Sequence, residues 1–506
     1  MALKCITVTL ERRTQMKRRA FLGLGAAALA SSSAFAVPVN RPQKFDESYD
    51  VVIIGAGGAG LAAATEAVKN KLSAIVIEKE AAIGGSSVIC GGQWAVGGTD
   101  EQTKRGIKDN DELFVKDMMA TGQNQNDLEV VKAYVKETKA LYEWMTKDLG
   151  VNPVSVTLSG GMSVPRAHTF KPAEVIEALR KFAVNGGVKV VTRTKAERLL
   201  WDYEKNCIAG VRANRRGKTI TIEARKGVVL AAGGFSRNPK MLKKYAPLLE
   251  NAAVIAGLGT QGDGILMAQA YGADMIDTNY IKASYGFTLK PSTIKDMALT
   301  QFKGAIVVNK TGKRFMDESF SYKTQADIAF AQPEGKSWMV FDDKIRKTAM
   351  KMDPLQDGIL WKSIDEGKCP SYVFMGNTIE EAAQKAGLDP KVVAETVKNY
   401  NSYVDAGKDP EFGREGLASG KGKLVKIDQA PFFIFPSVGA MIGTYCGIRI
   451  TPKAEVLDVF GERIPHLYAA GEMTGGVHGA SYMTGTAFSK AMSFGRIAVR
   501  SIAQAK

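Results

Sequence analysis

The stretch Tyr49-Asp-Val-Val-Ile-Ile-Gly55-Ala-Gly57-Gly-Ala-Gly60-Leu-Ala-Ala-Ala64, followed by Ile75-Val-Ile-Glu78-Lys79, reads as a buried strand, a glycine turn, a helix of small residues and a second strand ending in an acid. That order suits a dinucleotide. Gly55 makes the tight turn, Gly57 lets the backbone approach a pyrophosphate, and Gly60 brings the helix onto the sheet, while the helix N-terminus faces the phosphates. Glu78 lies eighteen residues past Gly60, where a carboxylate accepts hydrogen bonds from ribose hydroxyls.

Further along, Ile83-Gly84-Gly85-Ser86-Ser87 and Cys90-Gly91-Gly92-Gln93-Trp94 are glycine-rich turns whose amides can wrap an extended ligand. Apolar periodicity predicts helix over 111–149 and 172–185. Strands return at 188–194, 208–213 and 219–222, read as a meander set in a parallel sheet. The apolar run that ends in Ala231-Ala-Gly233-Gly-Phe235 reads as a strand covered on both faces. From about 279 to 440 polar and aromatic residues interrupt the strands, and the helices at 378–386 and 390–406 are amphipathic. Lys453–Gly461 reads as a hairpin, and Leu467–Glu472 as a buried strand rejoining the first domain. The predicted fold class is α/β: a Rossmann-like nucleotide domain with a parallel sheet and β-meander, in two parts (46–278 and 441–506), around an inserted α+β capping or substrate domain (279–440).

A chain of 506 residues with 45% hydrophobic and 24% charged residues is globular, neither disordered nor fibrous. Its start differs. Lys17-Arg18-Arg19-Ala20-Phe21-Leu22 precedes an apolar run from Gly23 to Ala30 and the small residues Ala34-Phe35-Ala36, the three regions of an export signal. Residues 1–36 are read as a twin-arginine signal peptide, giving a periplasmic location and a chain exported already folded. Met16 suits the start of such a signal as well as Met1 does. The apolar run is too short to span a bilayer, so no integral membrane anchor is expected. Net charge is +16, and the remainder stays basic once this stretch is discounted. No arginine-rich run interleaved with aromatics suggests nucleic acid. The five cysteines form no CxxC or CxxCH, and the three histidines have no ligand spacing, so neither metal nor covalent haem is expected.

The blocks Gly55–Gly60, Glu78-Lys79, Gly84–Ser87, Ala231–Phe235, Gly262-Asp263-Gly264, Gly304–Asn309 with Gly312–Phe315, and Ala470–Gly479 together resemble the fumarate reductase and succinate dehydrogenase flavoprotein superfamily. The resemblance is particularly to the soluble periplasmic fumarate, urocanate and related reductases. The resemblance covers essentially everything after residue 46 and implies non-covalent FAD. It puts the phosphates over Gly57, Gly58, Ala59 and Gly60, the ribose on Glu78 and the adenine near Ala196. It sets Ser86, Ser87, Gly91, Gly92 and Asp263 along the isoalloxazine side, with Lys79, Gly85 and Gly233 as further contacts. Glu472 and the start of the last helix, Ala487, Phe488 and Ser489, would close on the ribityl chain and the pyrimidine edge, where a helix N-terminus stabilises an anionic reduced flavin.

The superfamily's fumarate reductases clamp their substrate with arginines and histidines and protonate it with a further arginine. In register, the proton donor falls on Tyr322, a substrate arginine on Tyr482 and a histidine on Ser284, while the second histidine falls near Ile442 or Gly443. Met297, Ala298 and Gln301 replace a proton relay. Two buried carboxylates demand paired positive charges, so fumarate is not the expected substrate. Phenols take the clamp's place: Tyr322 and Tyr482, with Tyr280, Tyr285 and Tyr445 near them in the alignment. Facing tyrosines resemble the arrangement in ketosteroid dehydrogenases, where a phenol binds the substrate carbonyl. Tyr322 and Tyr482 are the candidate catalytic residues, though pocket lining alone would also account for them. Arg166 and His168, in Ser163-Val-Pro-Arg-Ala-His-Thr169, match another family block. They could meet a single carboxylate or bridge the cap to the flavin domain. Ser284, Tyr285 and Tyr445 complete the substrate-binding candidates.

The resemblance implies an oxidoreductase acting on C=C bonds. The first reading is an exported reductase of an unsaturated carbonyl compound, an enone or enoate, that draws electrons from a separate periplasmic cytochrome c in anaerobic respiration. A dehydrogenase desaturating a ketone and a non-catalytic flavin electron-transfer protein are the alternatives.

Overall fold

Val51-Val-Ile-Ile54 and Ala74-Ile-Val-Ile77 are buried at every position, as expected of parallel strands covered on both faces. They sit in a nine-stranded sheet in the order Val39–Asn40, Thr194–Asp202, Cys207–Arg215, Lys218–Leu230, Glu47–Ile54, Ala74–Ile77 and Lys189–Val191. Arg463–Ala469 joins Lys218–Leu230, and Glu455–Leu457 pairs outside it. This computed structural model describes residues 38–291, 293–353, 357–420 and 422–505. The expected signal peptide lies outside the described residues.

The meander runs antiparallel through Thr194–Asp202, Cys207–Arg215 and the first half of Lys218–Leu230. Here the chain departs from expectation. The two strands read at 219–222 and 226–235 form one thirteen-residue strand, because Ala224–Gly227 makes a bulge rather than a turn. Its far half runs parallel to Glu47–Ile54 on one side and to Arg463–Ala469 on the other.

The helix read over 111–149 is also interrupted. Asp111–Thr121 ends at Gly122, and Leu128–Lys147 begins where the Asp127 carboxylate accepts from the amides of Glu129 and Val130. The break is pinned to the glycine-rich block near the C-terminus: Asp127 N donates to Gly476 O at 2.8 Å, and Ala480 N to Gly122 O at 3.0 Å.

Helix Gly58–Lys69 packs against the last helix, Thr486–Gln504, closely enough that a Cβ on Gly495 would stand 2.1 Å from Ala59 O. Glu66 and Glu137 meet Arg496 and Arg500 across these helices and Leu128–Lys147.

The capping domain is built on a second sheet of six strands, with Phe432–Met441 pairing Ala253–Val254, Ser284–Phe287, Ser337–Asp342 and Phe374–Gly376. Ala253–Val254 joins this sheet ahead of the boundary read at 279. Arg314 forks onto Glu318 and Asp409, and Arg414 reaches Glu318 at 3.1 Å, a buried network inside the cap. No helix among the described residues is long and apolar enough to cross a membrane.

Candidate active site

A cavity of about 1810 Å³ runs from the glycine turn after Ile54 to the cap. Of the residues expected to touch the cofactor, Gly60 and Ser489 stand off its wall, and the others line it. Gly55 has φ +106°, and a Cβ there would lie 2.4 Å from Ala231 O. On Gly60 a Cβ would stand 1.8 Å from Gly55 O, so this glycine serves helix packing. Gly57 differs: the nearest protein atom to its Cβ would be Gly84 O at 3.8 Å. The protein leaves that room, as a backbone approached by a ligand requires. Glu78 is clamped by the amides of Ala56 and Glu80, each at 2.8 Å, which fixes its carboxylate on the cavity wall. The residues present therefore fit a dinucleotide flavin.

Two cofactor expectations change with the geometry. Asp263, expected on the isoalloxazine side, pairs with Lys79 at 2.5 Å and Lys195 at 3.6 Å, beside Glu78 and Ala196, the end assigned to ribose and adenine. Ser489 is fully buried, its hydroxyl 2.6 Å from Tyr134 OH and donating to Gly485 O. The helix face that carries it packs against Leu128–Lys147. Glu472 does face the cavity, where burial raises its pKa although the amides of Thr444 and Gly234 oppose the shift.

At the cap end Tyr322, Tyr445, Tyr482 and Ser284 share the wall. The rings of Tyr445 and Tyr482 are 4.7 Å apart, and His478 meets both edge-on. Tyr482 closes the turn before the last helix, and its phenol oxygen accepts from Gly485 N at 2.9 Å. Tyr322 opens the cap helix Tyr322–Phe330 and lies 3.3 Å from Thr484 Oγ1. Burial raises both phenols, Tyr322 to about 12, so both keep their protons at neutral pH. His478 is held neutral by burial and by the Lys490 and Lys323 charges.

The structure turns three substrate candidates away. Arg166 is fully buried, with Asp109 at 2.7 Å and Asp117 at 2.5 Å, so its charge is already matched. His168 has both nitrogens occupied, by Arg166 O at 2.9 Å and Thr99 Oγ1 at 2.8 Å. Burial lowers its pKa to about 4. Tyr285 lies in the cap core with its hydroxyl 2.8 Å from Ser337 Oγ. Tyr280 also faces elsewhere, donating to Gln125 Oε1 at 3.4 Å.

Sequence reasoning missed Lys323. Its Nζ donates to Ser284 Oγ at 2.9 Å and stands 4.2 Å from the Tyr445 ring centre. Burial lowers its pKa to about 7, with Asp327 opposing the shift and Lys282 adding to it. Register alignment selects one residue per position, whereas at a helix N-terminus two consecutive side chains reach the same wall. Among the described residues, the arginine on that wall is Arg237, whose guanidinium is taken up by the carbonyls of Val254 and Ala256.

The sequence matches the FAD binding domain family over residues 50–487. It is 34% identical over 462 residues to the fumarate reductase (cytochrome) of Shewanella frigidimarina, covering 89% of this chain and 76% of that one. The open conformation of a flavocytochrome c3 fumarate reductase superposes with a TM-score of 0.76 at 28% identity, over 98% of this chain and 82% of the other. The 3-ketosteroid-Δ4-(5α)-dehydrogenase of Rhodococcus jostii RHA1, in complex with 4-androstene-3,17-dione, gives 0.74 at 25% identity, over 93% and 100%. With this cavity and this likeness along its length, the chain belongs to the FAD binding domain family, as a flavin-dependent oxidoreductase acting on carbon–carbon double bonds.

Proposed function

We propose that the protein is an exported reductase that saturates an alkene conjugated with a carbonyl group, and that fumarate is not its substrate. The observation that carries this reading is the pair of phenols, Tyr322 and Tyr482, on the cavity wall where the resemblance calls for guanidinium groups. Bound FAD, when reduced, supplies the hydride for the β-carbon. Tyr482 polarises the carbonyl: its oxygen is engaged by Gly485 N–H, so its own hydrogen is free to donate toward the developing oxyanion. Tyr322 delivers a proton to the α-carbon, directly or through water, and recovers one from water. Among the lining residues, Gly57, Gly58 and Ala59 would hold the pyrophosphate and Glu78 the ribose. The cap excludes water from the reacting atoms.

The Shewanella relative is a fumarate reductase (cytochrome), and the 506 residues here hold no CxxCH. The proposed donor is therefore a separate periplasmic cytochrome c in anaerobic respiration. The arginine pair Arg18-Arg19 and the apolar run after it support export.

A second reading, desaturation beside a ketone, draws on the phenol pair and the likeness to the ketosteroid dehydrogenase. One experiment separates the two. FAD-loaded protein is assayed for oxidation of reduced viologen by a panel of enones and enoates, and for reduction of artificial acceptors by the saturated compounds. Activity only with the acceptors would overturn the reductase reading, and rapid fumarate turnover would overturn the substrate class.

A further inference from the structure

Lys323 is 2% exposed, and its ammonium hydrogen-bonds only to neutral acceptors, while the charges of Asp327 and Lys282 act on it from farther off and oppose each other. It donates to Ser284 Oγ at 2.9 Å and to Lys282 O at 3.3 Å. The rings of Tyr445, Tyr322 and Tyr482 surround it at 4.2, 5.6 and 5.7 Å. Among the described residues no carboxylate lies within ion-pairing distance of it. Asp327, on the same helix, is paired with Lys282 at 2.9 Å. A buried charge without a counter-ion is costly, and three aromatic faces offset only part of that cost. Lys323 nonetheless lines the cavity, as does Ser284. Ser284 Oγ, having accepted from Lys323, keeps its own hydrogen for a ligand.

We propose that Lys323 and Ser284 receive a single carboxylate, so that the substrate is a monoanionic 2-enoate with an apolar remainder; this rests on the reductase reading above. The remainder would lie against Leu158, Met162, Met297, Phe320 and Ile442, which share the wall. Of the other cations on the cavity wall, Lys79 and Lys195 pair with Asp263, Lys171 with Glu174 and Lys303 with Asp357. Lys490 donates to Thr474 O at 2.6 Å, Arg237 is held by backbone carbonyls, and His478 is neutral. The carbonyl that Tyr482 polarises then belongs to this carboxylate. Hydride addition at the β-carbon pushes the alkene electron pair onto the carboxylate oxygens, where the ammonium offsets the added charge. The pair returns to form the new C–H bond as the α-carbon takes the proton from Tyr322.

The titratable and charged groups facing Lys323 are Asp327, which raises its pKa, and Lys282, which lowers it, both from the cap, with Tyr322, Tyr445 and Tyr482 and neutral His478. Burial sets its pKa near 7 in the free protein, and a bound carboxylate raises it. Carboxylate affinity should therefore hold below pH 7 and fall about tenfold per unit above it.

The test uses FAD-loaded, oxidised protein, so that binding is read without turnover. The flavin absorbance change is titrated with 3-phenylpropionate and with 3-phenylpropanamide, in the parent, Lys323→Met and Lys323→Arg. The parent is expected to prefer the acid by about 100-fold. In Lys323→Met the two ligands should converge, with bound flavin retained and a melting temperature at or above the parent's, since a merely structural lysine would leave the protein weaker. Lys323→Arg should restore part of the preference. Equal affinity of acid and amide in the parent, no response to the acid at about 10 mM, or an acid preference that survives in Lys323→Met would each overturn the inference. A parent that prefers the acid yet oxidises no viologen with any alkene would instead count against the reductase reading alone.

Discussion

The phenol oxygen of Tyr482 sits 2.9 Å from the amide nitrogen of Gly485, at the head of the helix that closes the cavity. The amide fixes the phenol's direction and draws electron density from it, which makes it the better donor. Tyr482→Phe should lower kcat by about 10²- to 10³-fold, the usual loss for one oxyanion donor. The flavin spectrum should be unchanged. Steady-state kinetics on the best alkene found in the screen checks this.

Tyr322→Phe removes the proposed proton donor while keeping the ring against Thr484. A loss of about 10²- to 10⁴-fold in kcat is expected. Single-turnover oxidation of the pre-reduced protein reads it directly. A rate equal to the parent's would reassign the proton to another group.

Gly57→Ala and Gly60→Ala separate cofactor binding from folding. An added methyl on Gly57 meets no protein atom closer than 3.8 Å, whereas on Gly60 it stands 1.8 Å from Gly55 O. The first variant should fold with near-parental circular dichroism and purify without flavin. The second should fail to give soluble protein.

Acid should loosen the helix contacts around Glu66. Burial alone would raise its pKa, but Arg496 at 2.9 Å and Arg500 at 3.3 Å outweigh it and hold the group below its ordinary value. The ion cluster therefore contributes fully above about pH 4.5, and its contribution is lost as pH falls through the lower folded value. Glu66→Gln should cost about 3–5 kcal/mol at pH 7, as breaking a buried pair does. The gap from the parent should narrow below pH 4 in urea titrations.

The nucleotide turn was legible because its main constraints are local: Gly55 answers to its own φ of +106°, Gly60 to Gly55 O, and Gly57 to the room left for a ligand. The substrate role offered for Arg166, one of its two readings, fails for the opposite reason. The acids that neutralise it, Asp109 and Asp117, lie about fifty residues upstream, and periodicity reports no such pairing. The break at 122–127 escaped because the apolar pattern on either side was joined across Gly122-Gln-Asn-Gln-Asn-Asp127, a wholly polar stretch ending in a helix-capping acid and tethered to Gly476 and Ala480. Asp263 and Ser489 carried a family role that their own partners, Lys79 and Tyr134, override. Lys323 stayed hidden beside Tyr322 because a linear alignment gives no sign that two neighbours share one wall.

The thirteen-residue strand Lys218–Leu230 carries a consequence for biosynthesis. Its inner edge at Val228–Leu230 waits for Leu467–Ala469, and Glu472, Tyr482, Ala487 and Phe488 follow only after that. A nascent chain must leave the ribosome almost whole before the flavin cavity can close. Until then the bare edge offers unsatisfied amides to any neighbouring polypeptide, so messages cut short before codon 463 should yield sticky, colourless fragments rather than a smaller holoprotein.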